Sequence, residues 1–130
     1  MLETYSKLKQ EYEETFDMDD PVTAFGLMKM ASAVAEFLEV QEKKYNRIAS
    51  ELEKRAECIE SEVSAANGKS VAEGKRFAAT DKKVIDAWNE FFKAVETAGK
   101  MSAYARHSLR IYYDSKRVYE NGEKKERYNG

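Results

Sequence analysis

The segment Ala66-Asn67-Gly68-Lys69-Ser70 separates two long helical patterns, which run from Val34 to Val63 and from Val84 to Tyr119. Its asparagine and glycine both tolerate the left-handed backbone conformation that commonly ends a helix. Its serine is followed three residues later by Glu73, which is the spacing of a capping box at the start of a new helix. A turn this short makes its two helices antiparallel neighbours. The segment therefore predicts an all-α fold, a long antiparallel helical hairpin that is similar to a coiled coil.

Apolar residues also recur with helical spacing near the N-terminus, at Leu2, Tyr5, Leu8, Tyr12 and Phe16. Asp20 suits the N-cap of the next helix and Pro21 suits its first helical position. We therefore expect a single helical domain over residues 1–130, in which a short helix over about 2–16 precedes the hairpin. The hairpin helices are predicted over about 21–66 and 71–119, and the last ten residues, 121–130, are predicted to be a frayed tail.

The hairpin helices carry apolar stripes. On the first, Leu38, Tyr45, Leu52 and Ile59 recur at seven-residue steps. On the second, steps of four and three connect Val84, Trp88, Phe91, Val95, Ala98, Ser102, Ala105, Leu109, Tyr112, Lys116 and Tyr119. Two long helices and one short helix enclose little interior, so a homo-oligomer or a protein partner is expected. The contact surfaces we expect are the flank of Phe92 and a zone of small residues formed by Ala98, Gly99, Ser102, Ala103 and Ala105.

Composition and length favour one water-soluble domain, with 130 residues, 42% hydrophobic and 35% charged. Charged residues interrupt the richest apolar stretch, so we predict no membrane segment and no membrane partner. The first residues lack the pattern of a secretory signal, and one cysteine cannot form an internal disulfide. The expected location is the cytoplasm, that of the host cell if the protein is viral.

Charge is unevenly distributed although the net charge is only −2. Residues 1–66 hold 8 Lys and Arg against 15 Asp and Glu, whereas residues 67–130 hold 14 against 9. This asymmetry can attract an acidic or basic partner, or it can stabilise the pairing of the two helices with each other. We favour pairing between the helices.

The sequence contains no complete motif for a catalytic, metal or nucleotide site. We therefore predict a protein that is not an enzyme and that has no catalytic residues, metal or cofactor. The sequence Gly68-Lys69-Ser70 lacks the rest of a phosphate-binding loop, because Val63 occupies the position of its first glycine. His107 is the only histidine and Cys58 the only cysteine, so neither has a second soft ligand with which to bind a metal. We interpret His107 as a surface or interface residue.

Two charged surfaces are candidates for binding. The acidic candidate comprises Glu3, Glu11, Glu13, Glu14, Asp17, Asp19 and Asp20. The basic and aromatic candidate comprises Arg106, Arg110, Tyr113, Lys116 and Arg117. Cations that neutralise phosphates beside rings that stack on bases are typical of proteins that bind single-stranded nucleic acids. The simpler interpretation, which we favour, is that Tyr112 and Tyr119 are core residues and that the cations pair with the acidic first half of the sequence.

The residues around the turn, from Ala66 through Glu73 and then Ala78-Ala79-Thr80-Asp81, resemble small helical hairpin proteins encoded by bacteriophages and prophages. The resemblance implies stoichiometric binding on a host protein or in phage DNA metabolism, and no functional residue is carried over from it. We expect a non-enzymatic protein that binds and modulates a macromolecular partner, for example by placing its acidic surface in the nucleic-acid channel of a host guided-nuclease defence complex. One alternative is an accessory protein for recombination or single-stranded nucleic acid; another is a structural coiled-coil assembly protein.

Overall fold

The fold is entirely helical in the computed structural model, which describes the backbone of residues 2–16 and 20–129 and the side chains of residues 3–16 and 20–122. Four helices follow one another: α1 (Leu2–Thr15), α2 (Pro21–Ala66), α3 (Val71–Thr80) and α4 (Lys82–Asn129). The long helices α2 and α4 pack as an antiparallel pair, and α1 is the short N-terminal helix. The prediction of an all-α antiparallel helical hairpin is confirmed, and so are the bounds of its first long helix.

The second half of the hairpin differs from its prediction, because a break at Asp81 divides it into α3 and α4. The backbone of Asp81 is extended, with φ −75° and ψ 131°. Its amide donates to the carbonyl of Ala78 at 3.2 Å, which closes α3. Its carboxylate accepts from the amide of Lys83 at 2.9 Å, which begins α4. The prediction of one helix over 71–119 is therefore wrong. Helix α4 also continues to Asn129, beyond the predicted end at residue 119, and Gly130 lies outside the described residues. The fraying of residues 121–130 stays a prediction.

The turn between α2 and α3 keeps its predicted capping box but closes α2 in another way. The hydroxyl of Ser70 accepts the amide of Glu73 at 3.2 Å, and the Glu73 carboxylate accepts the amide of Lys69 at 3.2 Å. No described residue has a positive φ, so the predicted left-handed cap is wrong. The side-chain amide of Asn67 instead donates to the last turn of α2, at the Val63 carbonyl, 3.0 Å away. Gly68 is needed for space, because a Cβ there would lie 2.4 Å from the backbone nitrogen of Gly74.

The chain clusters into two compact units, which we call unit 1 (Met1–Val40 with Met101–Gly130) and unit 2 (Gln41–Lys100). The single-domain assignment stays a prediction. Unit 1 contains α1, the first part of α2 and the second part of α4. Unit 2 contains the remainder of the two long helices together with α3.

Unit 1 has a mixed core of aliphatic and very small side chains. Its buried residues are Leu8, Ala24, Leu27, Ala31, Val34, Ala35, Leu38, Met101, Ala105, Ser108, Ile111, Ser115 and Val118. The hydroxyl of Ser108 donates to the Tyr104 carbonyl at 2.8 Å, whereas the buried hydroxyl of Ser115 has no hydrogen-bond partner. A serine that is buried without a partner is tolerated here because it is small, and α4 can lie close to its neighbours at that position.

Unit 2 buries only small residues and one valine. Its buried residues are Ala49, Ala56, Gly74, Ala78, Val84, Ala87, Ala94 and Ala98. The stripe predicted for α4 is correct at Val84 and Ala98 but wrong at its intermediate steps. Ala87 and Ala94 occupy the seam, while Trp88 is half-buried and Val95 is 46% exposed. The α2 residue Arg55, counted in the predicted seam, is exposed, and its neighbour Ala56 is buried instead.

Glycine substitutions test this close packing. A Cβ at Gly74 would lie 2.2 Å from the Ser64 carbonyl oxygen, a clash with backbone that requires α3 to move away from α2. We expect Gly74→Ala to lower the free energy of unfolding by roughly 1–3 kcal/mol. Chemical denaturation followed by circular dichroism measures the change.

The matched control is Gly26→Ala on α2, where a Cβ would meet nothing within 4 Å. Because alanine is the better helix former, this variant should be more stable than wild type by about 0.5–1 kcal/mol. Equal effects of the two substitutions would contradict the packing of α3 against α2.

Candidate binding surfaces

Helix α1 is held on α4 by tyrosines that reach across unit 1. The ring of Tyr5 stacks on Tyr104 with 4.4 Å between centroids. Its hydroxyl forms a hydrogen bond with Nδ1 of His107 at 2.6 Å. Two turns further along the same side of α1, the hydroxyl of Tyr12 donates to the carboxylate of Asp114 at 3.4 Å. The half-buried His107 is therefore part of the contact between α1 and α4, as the sequence interpretation allowed.

Folding raises the pKa values of Tyr5 and Tyr12, which we call the docking tyrosines because they hold α1 on α4. Partial burial raises the pKa of the Tyr5 hydroxyl, with smaller contributions from Tyr104 and from the charge of Glu13. Burial also raises the pKa of Tyr12, and the neighbouring negative charge and hydrogen bond of Asp114 raise it further. In both cases the folded protein favours the neutral phenol.

The basic and aromatic candidate residues lie together on the outer side of α4 in unit 1. Arg106, Arg110, Tyr113 and Arg117 follow one another at intervals of four, three and four residues, which places them on one side of a helix. All four are exposed, and Tyr113 is 57% exposed. We call these four residues the arginine-tyrosine face.

Carboxylates near the arginine-tyrosine face are engaged elsewhere. Asp114 accepts the hydrogen bond from Tyr12, and Glu120 lies 4.0 Å from the amine of Lys116. Arg106 donates to the Ser102 hydroxyl at 3.1 Å. Among the residues that the structure describes, Arg110 and Arg117 form no ion pair within 4 Å. The face therefore carries three guanidinium groups, of which Arg110 and Arg117 have no described carboxylate within 4 Å. Lys116, the fifth predicted member, is half-buried beside it.

The acidic candidate surface is only partly assembled. Glu3, Glu11, Glu13 and Glu14 are exposed on α1, where Lys7 and Lys9 are exposed among them. Asp17 and Asp19 lie outside the described residues. Asp20 caps α2 as predicted, and its carboxylate accepts the Val22 amide at 3.1 Å and the Thr23 hydroxyl at 2.5 Å. These donors, Thr23 first, lower the pKa of Asp20.

The charge asymmetry of the sequence is not reflected in the close ion pairs that the structure describes between the long helices. In the described part of the chain, the one ion pair within 4 Å between α2 and α4 joins Arg55 to Glu90, at 3.9 Å. In this pair the cation comes from the acidic half of the sequence and the anion from the basic half, which is the reverse of what the asymmetry would give. Close ion pairs that join the basic half to the acidic half in the expected sense are therefore not formed among the described residues, and attraction over longer distances stays a prediction.

A third surface, in unit 2, is apolar. The indole nitrogen of Trp88 donates to the carboxylate of Glu60 on α2 at 3.2 Å, which fixes the ring against the neighbouring helix. Phe91 and Phe92 extend this cluster, with 5.4 Å between their centroids. The side chain of Phe92 is nevertheless 58% exposed, and Ile85 and Val95 are 43% and 46% exposed. We call Ile85, Phe92, Val95 and the exposed Gly99 the Phe92 surface.

Sites for small ligands are poorly developed in the described residues. No group of three or more histidine, cysteine or acidic side chains there could hold a metal ion. The helix start after Gly68-Lys69-Ser70 offers little to a phosphate, because Ser70 and Glu73 already accept the amides of Glu73 and Lys69. The open grooves along α2 are lined by side chains such as Glu57, Glu60 and Ser61.

Helix α2 contains a stretch that is long and apolar enough to cross a membrane by length and composition alone. A core helix or a signal sequence passes the same test. About a third of that stretch, 33%, is buried inside the protein. In unit 1, α2 buries Leu27, Val34 and Leu38. The absence of a membrane segment stays a prediction.

Comparison with known proteins gives no assignment: no family model, no curated protein and no solved structure matches the chain. The resemblance to phage hairpin proteins stays a prediction. The class of protein that the fold defines is an all-α antiparallel helical hairpin with an N-terminal helix docked on it.

The tyrosine contacts predict how alkaline pH affects stability. A phenol whose pKa is raised by folding stabilises the protein below its unfolded pKa of about 10, and that contribution is lost as pH rises through the higher folded value. We expect the free energy of unfolding to fall between about pH 9.5 and 11. The double substitution of Tyr5 and Tyr12 by Phe should make that fall shallower. Urea unfolding at each pH, followed by circular dichroism, measures it.

Tyr113→Phe is the control, because this exposed tyrosine does not take part in docking α1. It should keep the steep dependence of the wild type. If the double variant loses stability with pH as steeply as the wild type does, the docking tyrosines are not responsible.

Proposed function

We propose that this chain is a non-enzymatic binding protein whose ligand is a single-stranded nucleic acid, bound along the arginine-tyrosine face of α4. The observation that carries the proposal is the alignment of three arginines and one tyrosine on one exposed side of a helix, with the nearby carboxylates engaged elsewhere. The sequence alone favoured a protein partner. The geometry of unit 1 moves our preference to its alternative.

Electrostatics supports an anionic ligand. The distance along α4 from Arg106 to Arg117 is roughly 16 Å, at 1.5 Å per residue, which allows the three cations to contact several consecutive phosphates. Guanidinium groups bind phosphate oxygens through paired hydrogen bonds. Because neither Arg110 nor Arg117 has a described carboxylate to give up, binding a phosphate breaks no ion pair.

The aromatic member supports a single strand. Tyr113 stands among the arginines and contacts the ring of Tyr112 edge to face, with 5.2 Å between centroids. A ring supported on one side and exposed on the other can stack on an unpaired base, and it does so for any base. The bases of a duplex are already stacked on one another. The face is therefore suited to binding with little sequence preference.

The cellular role that we propose is an accessory function in the DNA or RNA metabolism of a mobile genetic element, carried out in the cytoplasm. The support is the resemblance of the turn region to phage hairpin proteins, together with the chemistry of the arginine-tyrosine face. His107 is bonded to Tyr5, which supports a binding role for the protein rather than a catalytic one.

Inhibition of a host guided-nuclease or nuclease defence complex is the second candidate. The observation that favours it is the exposure of Glu3, Glu11, Glu13 and Glu14 on α1. These carboxylates could occupy a basic channel in a host protein, although Lys7 and Lys9 dilute their charge. A structural assembly protein, the third possibility from the sequence, would depend on apolar contacts instead.

Replacing the arginines of the face provides the test. We expect wild-type protein to bind a fluorescent single-stranded oligonucleotide, with an affinity that falls as salt is raised, by a slope of about −2 on logarithmic axes if three phosphates are neutralised. Substitution of Arg106, Arg110 and Arg117 by Gln should bring this slope close to zero. Tyr113→Ala should keep the slope and weaken binding by about 1–3 kcal/mol. Fluorescence anisotropy measures both.

The matched control replaces three exposed cations of unit 2, Lys75, Arg76 and Lys82, by Gln. It changes net charge equally and should alter binding little. If wild-type protein fails to bind single strands at about 0.15 M salt, the proposal is wrong. Capture of a host nuclease complex, slowed by charge reversal at Glu3, Glu11, Glu13 and Glu14, would then establish the second candidate.

A further inference from the structure

The Phe92 surface carries an inference that is independent of nucleic-acid binding. We propose that this surface of unit 2 binds the same surface of a second copy of the chain, with the two α4 helices antiparallel. Three observations support the proposal: the thin core of unit 2, the open space beside Gly99, and a charge pattern that complements itself when reversed.

The core of unit 2 leaves its large apolar residues without cover. The residues it buries fully are alanines, one glycine and Val84, whereas its aromatic side chains are half-buried or exposed. Unit 2 therefore exposes apolar area that a water-soluble domain usually covers. Phe92 is held in place by contacts with Trp88 and Phe91, so the ring is ordered before any partner arrives. A partner would lose little entropy in fixing it.

Space for an incoming side chain lies one to two turns further along α4. Gly99 is exposed, and a Cβ built there meets nothing within 4 Å. Val95 lies one turn earlier on the same side of the helix. Gly99 therefore leaves open space beside the exposed side chains of Val95 and Phe92. Two identical helices that run in opposite directions can therefore each place Phe92 beside Val95 and Gly99 of the other.

The charges of Lys93 and Glu96 determine the register in which the two α4 helices pair. Lys93 and Glu96 lie on the same exposed flank of the Phe92 surface. In an antiparallel pair, equivalent flanks face each other in reverse order. When Lys93 of one copy faces Glu96 of the other, symmetry repeats the pair, and the twofold axis passes between Ala94 and Val95. Phe92 then points between Val95 and Gly99 of the second copy.

The same register avoids conflict between like charges. Lys100, which pairs with Glu96 of its own helix at 3.4 Å, comes opposite the neutral Asn89 of the second copy. In a parallel arrangement the flank that carries Lys93 and Glu96 would not face the same flank of the second copy, so this pairing would be lost. The surface thus favours a closed antiparallel dimer, whose interface is the same on both subunits.

Gly99→Leu gives the sharpest test, because the folded chain has room for the new side chain and the dimer does not. Sedimentation and light scattering should show a dimer for wild type at about 10–100 μM and a monomer for Gly99→Leu, with unchanged helicity by circular dichroism. Gly26→Leu is the matched control, since Gly26 on α2 is also exposed with nothing within 4 Å, and it should remain dimeric.

Charge reversal tests the register. Lys93→Glu should weaken the dimer at least tenfold, because two pairs become repulsive. Glu96→Lys should act alike, and the protein with both substitutions should regain dimerisation. In a Cys58→Ser background, Val95→Cys should form a disulfide-linked dimer on mild oxidation, whereas Glu53→Cys on α2 should not.

A monomeric wild type at 100 μM would overturn the proposal, and so would a dimer that survives Gly99→Leu. Either result would leave the surface to a different protein or to solvent. These outcomes are separable from the nucleic-acid proposal, because replacing Arg106, Arg110 and Arg117 should leave the dimer intact.

Discussion

The close packing of alanine, serine and glycine residues between helices is the constraint on which the rest of the structure depends. On α4 the buried positions include Ala87, Ala94, Ala105, Ser108 and Ser115. Side chains this small allow neighbouring helices to approach closely, but each removes little apolar area from water. In unit 2 no side chain larger than valine is buried, so Trp88 is half-buried and bonds to Glu60 of α2, and Phe92 is left exposed. Unit 1 also buries larger side chains such as Leu38 and Ile111.

Much of the backbone could be predicted from the sequence, and the errors have a common physical origin. The caps at Asp20 and Ser70 were recognisable because a side chain with a local hydrogen bond determines the end of a helix. Asp81 closes α3 and begins α4 by the same kind of bond, yet it lies just before the apolar stripe that begins at Val84 and was counted in the same helix. Periodicity reports which side of a helix is apolar and does not detect a cap.

The buried side of α4 was misplaced by one residue at alternate steps as far as Leu109, and at each of the last three steps, Tyr112, Lys116 and Tyr119. A stripe drawn through the largest apolar residues passes through Trp88 and Val95, whereas the structure buries Ala87 and Ala94 beside them. Hydrophobicity ranks tryptophan and valine above alanine as core residues. In the narrow seam of unit 2, the small size of alanine determines which residue is buried. The partners of the charged side chains could not be predicted either, because Tyr12 and Asp114 are distant in sequence and come together only when α1 docks.

A core made of small residues reverses the usual relation between mutation and stability. In most proteins the interior is damaged by loss of atoms, and evolution can compensate by substitutions that restore volume nearby. In unit 2 a single added methyl group at Gly74 meets the backbone of Ser64 and requires α3 to move away from α2. The inherited variation of such a seam should be confined to residues no larger than those it now buries. Its exposed aromatic positions should be free to follow whatever the molecule binds.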